Sequence, residues 1–341
     1  MSQLPRHEQG TIALPRVLSF LKHRNAWRAA VFGTAVMVLF FALTLDGVAL
    51  RAAWQSISLR LFLVTAALIS INGLLDGWWL SVITRAPQRN AYRVVAWHML
   101  LSSILPARLG DLGWMYFIHN WLAQPLARAV FVTFYHRLQD FIVVSLMLML
   151  SLALARTHIG GAPLLIATLL VLLVVGVVCA SLAQLLGVLA AVVLKLHRRF
   201  HRPWLRQVLE HVLRVRIWYR HRLERKQVVL SFIVIVLRWV TILAAVTIVI
   251  SALAAPVSPS DSFLLANAYV YFGIVPLQSV GGFGSGEAGL AWMLTHYGVP
   301  LAKASAIGLL LRLLINLVHV SLWAWVLGLL WLLERAARDR Q

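Results

Sequence analysis

Acidic residues are scarce in this sequence, which has 11 Asp and Glu against 31 Lys and Arg among its 341 residues. Charged residues of both signs make up only 12%, whereas hydrophobic residues make up 61% and the mean hydropathy is +0.83. Soluble domains carry about 25% charged residues. The composition therefore excludes an ordinary soluble domain and predicts an all-α, polytopic membrane protein.

Cysteine and the common ligand motifs are also lacking. The one cysteine, Cys179, lies in an apolar run, so no intrachain disulfide and no cysteine zinc site can form, and we expect it to be a packing residue. The sequence contains no Gly-Lys pair, which excludes a phosphate-binding P-loop, and no H-E-x-x-H spacing. We therefore predict neither a metal nor a cofactor.

A glycine-rich stretch, residues 275–290, reads VPLQSVGGFGSGEAGL and includes the pattern G-x-G-x-x-G. A dinucleotide site would need a preceding strand and an acidic residue about twenty positions later. Residues 301–315 contain no carboxylate. We therefore interpret the glycines as part of a broken membrane segment, where they permit positive φ and the close approach of a ligand.

The apolar segments predict the number of membrane crossings, since one crossing takes about 20 residues. Two apolar stretches, 91–123 and 263–298, are broken in the middle, at residues 106–110 and 276–289. Their halves have about 11 to 13 apolar residues, too few to cross, so we predict two re-entrant hairpins. Six unbroken spans are predicted, at residues 29–50, 61–83, 128–155, 163–194, 228–254 and 303–333.

Basic residues concentrate in the N-terminal arm, around residues 85–93, in residues 195–226 and in the C-terminal tail. Residues 195–226 alone carry eleven Lys or Arg against two Glu. The positive-inside rule places all four regions, and with them both termini, in the cytoplasm. The same sidedness results from six spans with two hairpins or from ten crossings with paired short spans, so charge leaves both arrangements open.

We accordingly divide the chain into a basic cytoplasmic arm (1–28), a single transmembrane domain (29–333) and a cytoplasmic tail (334–341). The arm lacks the apolar core and cleavage site of a signal peptide, so we expect the first span to be its own anchor.

Residues 195–227 hold aromatic residues among arginines, as does an amphipathic helix on anionic lipid at the cytoplasmic surface. A cationic loop is already expected there, so the net charge of +20 does not predict nucleic-acid binding.

Residues 61–155 and 228–333 show the same order of one span, one broken hairpin and one span, but they begin on opposite sides of the membrane. Each hairpin places a glycine and an acid, Asp111 or Glu287, straight after its break. This order is typical of a transporter built from an inverted-topology repeat, in which broken helices meet near the middle of the membrane.

An arginine follows each acid at nearly equal spacing. Arg137 comes 26 residues after Asp111, and Arg312 comes 25 residues after Glu287. Eight charged residues are expected to lie inside the membrane, away from the segment ends, and each unpaired one would cost about 2.5 to 3.5 kcal/mol. We expect them to pair, as Arg137 and Asp140 can locally, or to face water. The eight are Asp76, Arg108, Asp111, Arg137, Asp140, Arg238, Glu287 and Arg312.

The start of each second half-helix is a candidate anion site. Its free N–H groups and its dipole favour negative charge near Asp111 and Glu287. We expect these carboxylates to cap the helices themselves, and a phosphate held by Arg108 or Arg312 to displace them.

The segments LPARLGD, HRLQD and VGGFGSGEAGL, in this order, resemble the lysylphosphatidylglycerol synthase transmembrane region family of flippase-like membrane proteins. The resemblance covers residues 30–333 and implies movement of lipids between leaflets of the bacterial cytoplasmic (inner) membrane. Phospholipids, aminoacylated lipids and polyprenyl-phosphate-linked lipids are the substrates that it implies. The residues that match the pattern are Arg108, Arg137, Asp140, Gly282, Gly284 and Glu287, with Asp111 in place of a usual glutamate.

The sequence also departs from that pattern. Trp114 stands where an arginine is common, and His136 stands where a glutamate is common. Val280 and Gly286 replace a frequent proline and arginine. These changes affect the expected headgroup chemistry more than the expected fold.

We therefore expect a lipid translocase, not an enzyme, that moves a lipid with an anionic or phosphate-containing headgroup. Only eight residues follow the last predicted span, so no soluble synthase domain is expected. An intramembrane lipid-modifying enzyme, with His98, His119 and His136 near the first hairpin, is the alternative, as is an accessory subunit of a lipid or glycolipid biosynthesis pathway. A homodimer stays open. The expected translocation residues are Arg108, Asp111, Arg137, Asp140, Gly282, Gly284, Glu287 and Arg312, with Asp76 and Arg238 as supporting charges.

Overall fold

The computed structural model describes residues 46–104, 109–155, 190–200, 224–254, 257–274 and 283–338, together with scattered positions between 35 and 213. The side chains of residues 104, 109, 111, 112, 274, 337 and 338 lie outside this description. Within the described ranges the elements are all α-helices, which confirms the all-α prediction. They are α1 (Gly47–Gln55), α2 (Leu59–Thr84), α3 (Gln88–Ile104), α4 (Leu109–Trp121), α5 (Leu126–Leu154), α6 (Arg225–Leu253), α7 (Pro259–Ile274), α8 (Ser285–His296) and α9 (Leu301–Arg338). Residues 190–200 are helical as well.

Four helices in the described part of the chain, α2, α5, α6 and α9, are long and apolar enough to cross a membrane. They coincide with four of the six predicted spans. The other two predictions, residues 29–50 and 163–194, fall largely outside the described residues. Helix α9 continues beyond residue 333 to Arg338, because the charged residues of the tail extend the same helix.

Each predicted hairpin consists of two shorter helices. Helix α3 ends at Ile104 and α4 begins at Leu109, so the first predicted break, residues 106–110, extends two residues into α4. The second break was predicted to reach residue 289, which is wrong, because α8 begins at Ser285. The helix starts this early because the Glu287 carboxylate accepts a hydrogen bond of 2.6 Å from the backbone N–H of Gly284 and so caps it.

The first half of each hairpin is also longer than predicted. Helices α3 and α7 have 17 and 16 residues. The apolar count of 11 to 13 missed their first turns, which are polar but helical, as at Gln88 and Asp261. The second halves, α4 and α8, have 13 and 12 residues, too short to cross a bilayer.

Helices α2 and α6 pack against each other in antiparallel directions at the centre of the domain. The Asn72 side chain donates to the Arg238 carbonyl oxygen at 2.8 Å near the middle of the contact. Nearer one end, the Gln227 side chain donates to the carbonyl oxygen of Val82 at 2.9 Å. An exposed ion pair joins Arg85 to Glu224 at that end. Because residue numbers rise along α2 as they fall along α6, the two chains run in opposite directions.

The remaining helices form two apolar cores on either side of this pair. One core is built from α2 to α5 with Val234 and Ile235 of α6 and Trp323 of α9, and the other from α6 to α9 with Leu61 and Ile69 of α2. Helix α9 of the second half packs on α3 of the first hairpin, and α7 of the second hairpin packs on α5 of the first half.

Gly110 permits the close approach of α3 and α4, since a Cβ atom there would lie 2.8 Å from the Ser102 Cα atom.

Candidate functional site

Two groups of buried charges lie inside the helical domain. The hairpin cluster, defined as Tyr269, Glu287 and Arg312, joins α7, α8 and α9. Glu287 Oε1 accepts hydrogen bonds from Arg312 Nε at 2.7 Å and from the Tyr269 hydroxyl at 2.9 Å. Its Oε2 accepts the bond from the Gly284 N–H, and only 1% of the residue is exposed. The carboxylate is therefore fully engaged at the point where the broken segment restarts as a helix.

The close packing of α8 and α9 lets Arg312 reach Glu287. A Cβ atom at Gly308 would lie 3.1 Å from the Glu287 carbonyl oxygen, so any larger residue would push the two helices apart. The Arg312 guanidinium lies 5.6 Å from the centre of the Tyr269 ring, a cation–π contact. The Arg312 side chain keeps 17% of its surface exposed, whereas the Glu287 side chain keeps none. The positive partner is thus the more accessible member of the ion pair.

The central cluster, defined as Asp76, His136, Arg137, Asp140, Arg238 and Trp239, joins α2, α5 and α6. Arg238 bridges its two carboxylates, since Nη1 lies 3.2 Å from Asp76 Oδ2 and Nη2 bonds to Asp140 Oδ1. The Trp239 indole N–H donates to the same Asp140 oxygen at 2.9 Å. The Arg238 side chain is only 9% exposed, so it compensates two buried negative charges at once.

The second oxygen of Asp140 is shared by two further groups. Arg137 Nη1 lies 3.2 Å from Asp140 Oδ2, which confirms the predicted local pairing. His136 Nδ1 lies 3.4 Å from the same oxygen. The other ring nitrogen of His136, Nε2, lies 3.1 Å from Asp76 Oδ1. The Arg137 side chain is 40% exposed, so the cluster reaches from the buried α2 and α6 contact towards an open face.

Both clusters pair each buried carboxylate with a guanidinium group, as burial in a membrane requires. The hairpin cluster holds one carboxylate and one guanidinium. The central cluster holds two of each, and His136 is the group whose protonation state changes its total.

The structure brings most of the predicted residues together. Arg137, Asp140, Asp76 and Arg238 meet in the central cluster, while Glu287 and Arg312 meet in the hairpin cluster. The expected capping of α8 by its own acid is confirmed at Glu287, whose bond reaches Gly284. Arg108 and Gly282 lie outside the described residues, and Asp111 is described only as the third residue of α4.

Three contacting residues were missed or undervalued by sequence reasoning. His136 is predicted only as part of the alternative enzyme, although its spacing of four residues to Asp140 on one helix face could have indicated the contact. Trp239 follows Arg238 directly, and its bond to Asp140 depends on the approach of α5. Tyr269 carries no sequence signal, since it lies 18 residues before Glu287 in an ordinary apolar helix.

A sequence profile for the lysylphosphatidylglycerol synthase transmembrane region matches residues 26–324. The chain belongs to that family. The family and the apolar helices together establish a multi-pass membrane protein of a lipid-related family. No curated protein matches the chain significantly.

Two of the residues that differ from the common family pattern, Trp114 and His136, lie close together in the structure. The rings of Trp114 and His136 lie next to each other, with centroids 5.5 Å apart. Their positions therefore belong to one contact between α4 and α5, and both residues differ from the expected pattern at that contact. In this member of the lysylphosphatidylglycerol synthase transmembrane region family, Trp114 packs beside the His136 ring of the central cluster.

Proposed function

We propose that the protein is a lipid translocase, a flippase that moves a lipid with an anionic or phosphate-containing headgroup between the leaflets of a membrane. The observation that carries this proposal is the ion pair of Glu287 and Arg312 at the start of α8. A buried charge pair next to a helix start within a broken membrane segment is expensive as a purely structural element. It is suited to exchange one anionic partner, a carboxylate, for another, a phosphate.

The inferred inverted-topology repeat supports transport as the function. Residues at the same position in corresponding helices can be compared, counting from the start of each helix. Asp111 is the third residue of α4, as Glu287 is of α8. Arg137 is the twelfth residue of α5, as Arg312 is of α9. We infer that α2 to α5 and α6 to α9 are equivalent units, each with an acid and an arginine at one hairpin break.

The packing of α2 and α6 gives the relation between these units. Asn72 is the fourteenth residue of α2, and Arg238, which it contacts, is the fourteenth residue of α6. Equivalent residues of two antiparallel helices meet only near a two-fold axis perpendicular to both helices. Such an axis lies in the membrane plane and would make the hairpins enter from opposite sides. This is the arrangement that alternating access to a central site requires.

A mechanism follows from the hydrogen bonds of the hairpin cluster. In the structure Glu287 caps α8 and holds Arg312. An arriving phosphate would bind the backbone N–H groups at the helix start and the planar guanidinium of Arg312, and Glu287 would be released. The acyl chains would stay in the lipid, along faces that expose large apolar side chains such as Trp292 and Trp325, which are 59% and 65% exposed. The headgroup would then pass to the equivalent site near Asp111 and Arg137.

The remaining proposals concern the surroundings of the protein. The family and the basic loops support a bacterial cytoplasmic membrane with both termini inside. Phospholipids, aminoacylated lipids and polyprenyl-phosphate-linked lipids share the phosphate that Arg312 would bind, so all three belong to the proposed substrate class. Residues 195–227 would lie on anionic lipid at the cytoplasmic surface.

A flipping assay tests the function. Purified protein in liposomes should move a headgroup-labelled anionic phospholipid between leaflets, and Glu287→Gln should abolish this movement while the protein stays folded. The amide keeps the shape of the side chain but lacks the charge that balances Arg312. Glu210→Gln, at an exposed glutamate, is the matched control and should transport as the wild type does.

Mass spectrometry of the same liposomes separates transport from chemistry. Unaltered lipid in the opposite leaflet supports a translocase. A lipid product of changed mass without transfer would overturn the proposal and favour an intramembrane enzyme. Full flipping by Glu287→Gln would remove the hairpin cluster from the mechanism.

The inverted arrangement has its own test, which uses cysteine labelling from either side. In a Cys179→Ala background, a cysteine introduced at Ala107 should react with a small hydrophilic thiol reagent from the cytoplasm. One introduced at Ser285 should react from the outside, because the second hairpin is inferred to enter from there. Labelling of both positions from the same side would contradict the inverted repeat.

A further inference from the structure

His136 differs from an ordinary buried histidine because both of its ring nitrogens face carboxylates. Nε2 lies 3.1 Å from Asp76 Oδ1, and Nδ1 lies 3.4 Å from Asp140 Oδ2. A neutral imidazole carries one N–H group and can donate to only one of these oxygens, so its other nitrogen would direct a lone pair at a negative charge. The imidazolium hydrogen-bonds Asp76 and places its positive charge beside Asp140 as well. The geometry therefore fits the protonated ring.

Two tryptophans next to the ring also favour a cation there. The ring centroids of Trp79 and Trp114 lie 4.5 Å and 5.5 Å from that of His136. The π-systems of indole rings attract cations, and His136 itself is only 4% exposed. Two carboxylates and two indoles thus form a compact binding site for one positive charge on an imidazole.

We propose that His136 is the binding site of a proton that is coupled to lipid movement. This inference rests on the proposed translocase function and adds a second transported or cycling species, H⁺, to it. On uptake one N–H bond forms on the ring, and on release that bond breaks and the proton returns to water. No other bond changes.

The coupling follows from one shared oxygen atom. Asp140 Oδ2 is the partner of both Arg137 and His136, at 3.2 Å and 3.4 Å. When the ring is protonated, it neutralises Asp140, and Arg137 can leave this oxygen for an anionic headgroup. When the ring loses its proton, Asp140 recovers its full charge and draws Arg137 back, which displaces the headgroup. The half-exposed Arg137 side chain thus contacts either the Asp140 carboxylate or the anionic headgroup of the lipid.

The charged groups on every neighbouring element are consistent with this exchange. Asp76 comes from α2, Arg137 and Asp140 come from α5, and Arg238 comes from α6. On α3, His98 interacts electrostatically with Asp76. On α9, His319 lies within electrostatic range of Asp76, Arg312 and His98. Helix α4 contributes Trp114 among its described side chains.

The proton site occurs in one repeat only. Asp76, His136 and Asp140 are the eighteenth residue of α2 and the eleventh and fifteenth residues of α5. The residues of equal rank in α6 and α9 are apolar: Ile242, Leu311 and Ile315. The acid and arginine at the hairpin breaks are duplicated, whereas the histidine site is single. A single site beside the two-fold axis suits one proton bound per cycle.

Two measurements test the inference on the full-length protein. In lipid nanodiscs, the ¹⁵N resonances of His136 should show whether one or both ring nitrogens carry a proton, and the ratio of the two forms should change with pH. In liposomes, an imposed pH gradient should drive the labelled phospholipid to accumulate in one leaflet. His136→Gln should lose this gradient response, and so should His136→Arg, which carries a permanent charge. His119→Gln, at an exposed histidine, is the matched control and should keep it.

The outcomes separate this inference from the proposed function. Lipid movement that ignores the pH gradient in the wild type would overturn proton coupling and leave the translocase proposal intact. The absence of lipid movement under all conditions would overturn the translocase, while the ¹⁵N titration would still decide whether His136 binds a proton. Resonances that show the same protonation state at every pH at which the protein stays folded would overturn the proton site, even where His136→Gln does not fold.

Discussion

Replacement of Arg238 by methionine should lower the free energy of unfolding by about 3 to 5 kcal/mol, the cost of removing one partner from a buried ion pair. Arg238 is the residue that bridges Asp76 and Asp140, whose side chains are 1% and 7% exposed. The substitution therefore leaves two buried carboxylates, with only His136 and Arg137 to compensate them. Chemical denaturation in detergent, monitored by tryptophan fluorescence, measures the effect.

The control lies on the same helix. Arg225→Met removes an arginine from the exposed start of α6 and should change stability by less than about 1 kcal/mol. The triple variant with Arg238→Met, Asp76→Asn and Asp140→Asn should recover most of the loss, because no unpaired charge remains buried. If Arg238→Met were as stable as Arg225→Met, the central cluster could not be holding α2, α5 and α6 together.

The second large effect concerns the hairpin cluster and separates a structural ion pair from a binding site. Arg312→Met leaves the Glu287 carboxylate buried without its 2.7 Å partner and should destabilise the protein by about 3 to 5 kcal/mol. The double variant Arg312→Met with Glu287→Met should recover the stability, because a packed apolar pair often replaces a buried ion pair at little cost. We expect it to recover the fold but not the flipping of lipid, because the anion-binding group is gone.

Arg312→Lys refines the comparison. Lysine keeps the charge but lacks the planar fork that binds phosphate oxygens in pairs, so the variant should stay folded and retain an anionic phospholipid less well. Thermal unfolding, flipping rates and co-purified lipid are measured on the wild type and the three variants. Normal transport by the double variant would reduce Arg312 to a structural residue.

The sequence predicted the helical framework well, because hydrophobicity over about 20 residues is a direct consequence of the membrane. It predicted the pairing of Arg137 with Asp140, since residues three apart share a helix face. It did not predict how Asp76 and Arg238 pair, because their contact depends on the packing of α2 and α6 over a separation of 162 residues. Spacing along the chain carries no information about such a partner.

The boundaries of the broken segments show a second limit. Glycines and a proline indicated that the second hairpin is interrupted, but the capping by Glu287 decides where α8 begins. Polar first turns likewise lengthen α3 and α7 beyond their apolar runs. Apolar patterning reports which residues can contact lipid, whereas backbone hydrogen bonding decides which are helical.

The long separation between Asp76 and Arg238 also has a consequence during synthesis of the protein. A ribosome that adds about 5 to 20 residues per second needs about 8 to 30 s to proceed from one residue to the other. During that interval the arginine that bridges Asp76 and Asp140 is missing, and His136 of α5 is the earlier partner of Asp76. Helices α2 to α5 can therefore settle into their final packing only after α6 has emerged. A nascent chain that stalls before residue 238 should be an early target for membrane quality control.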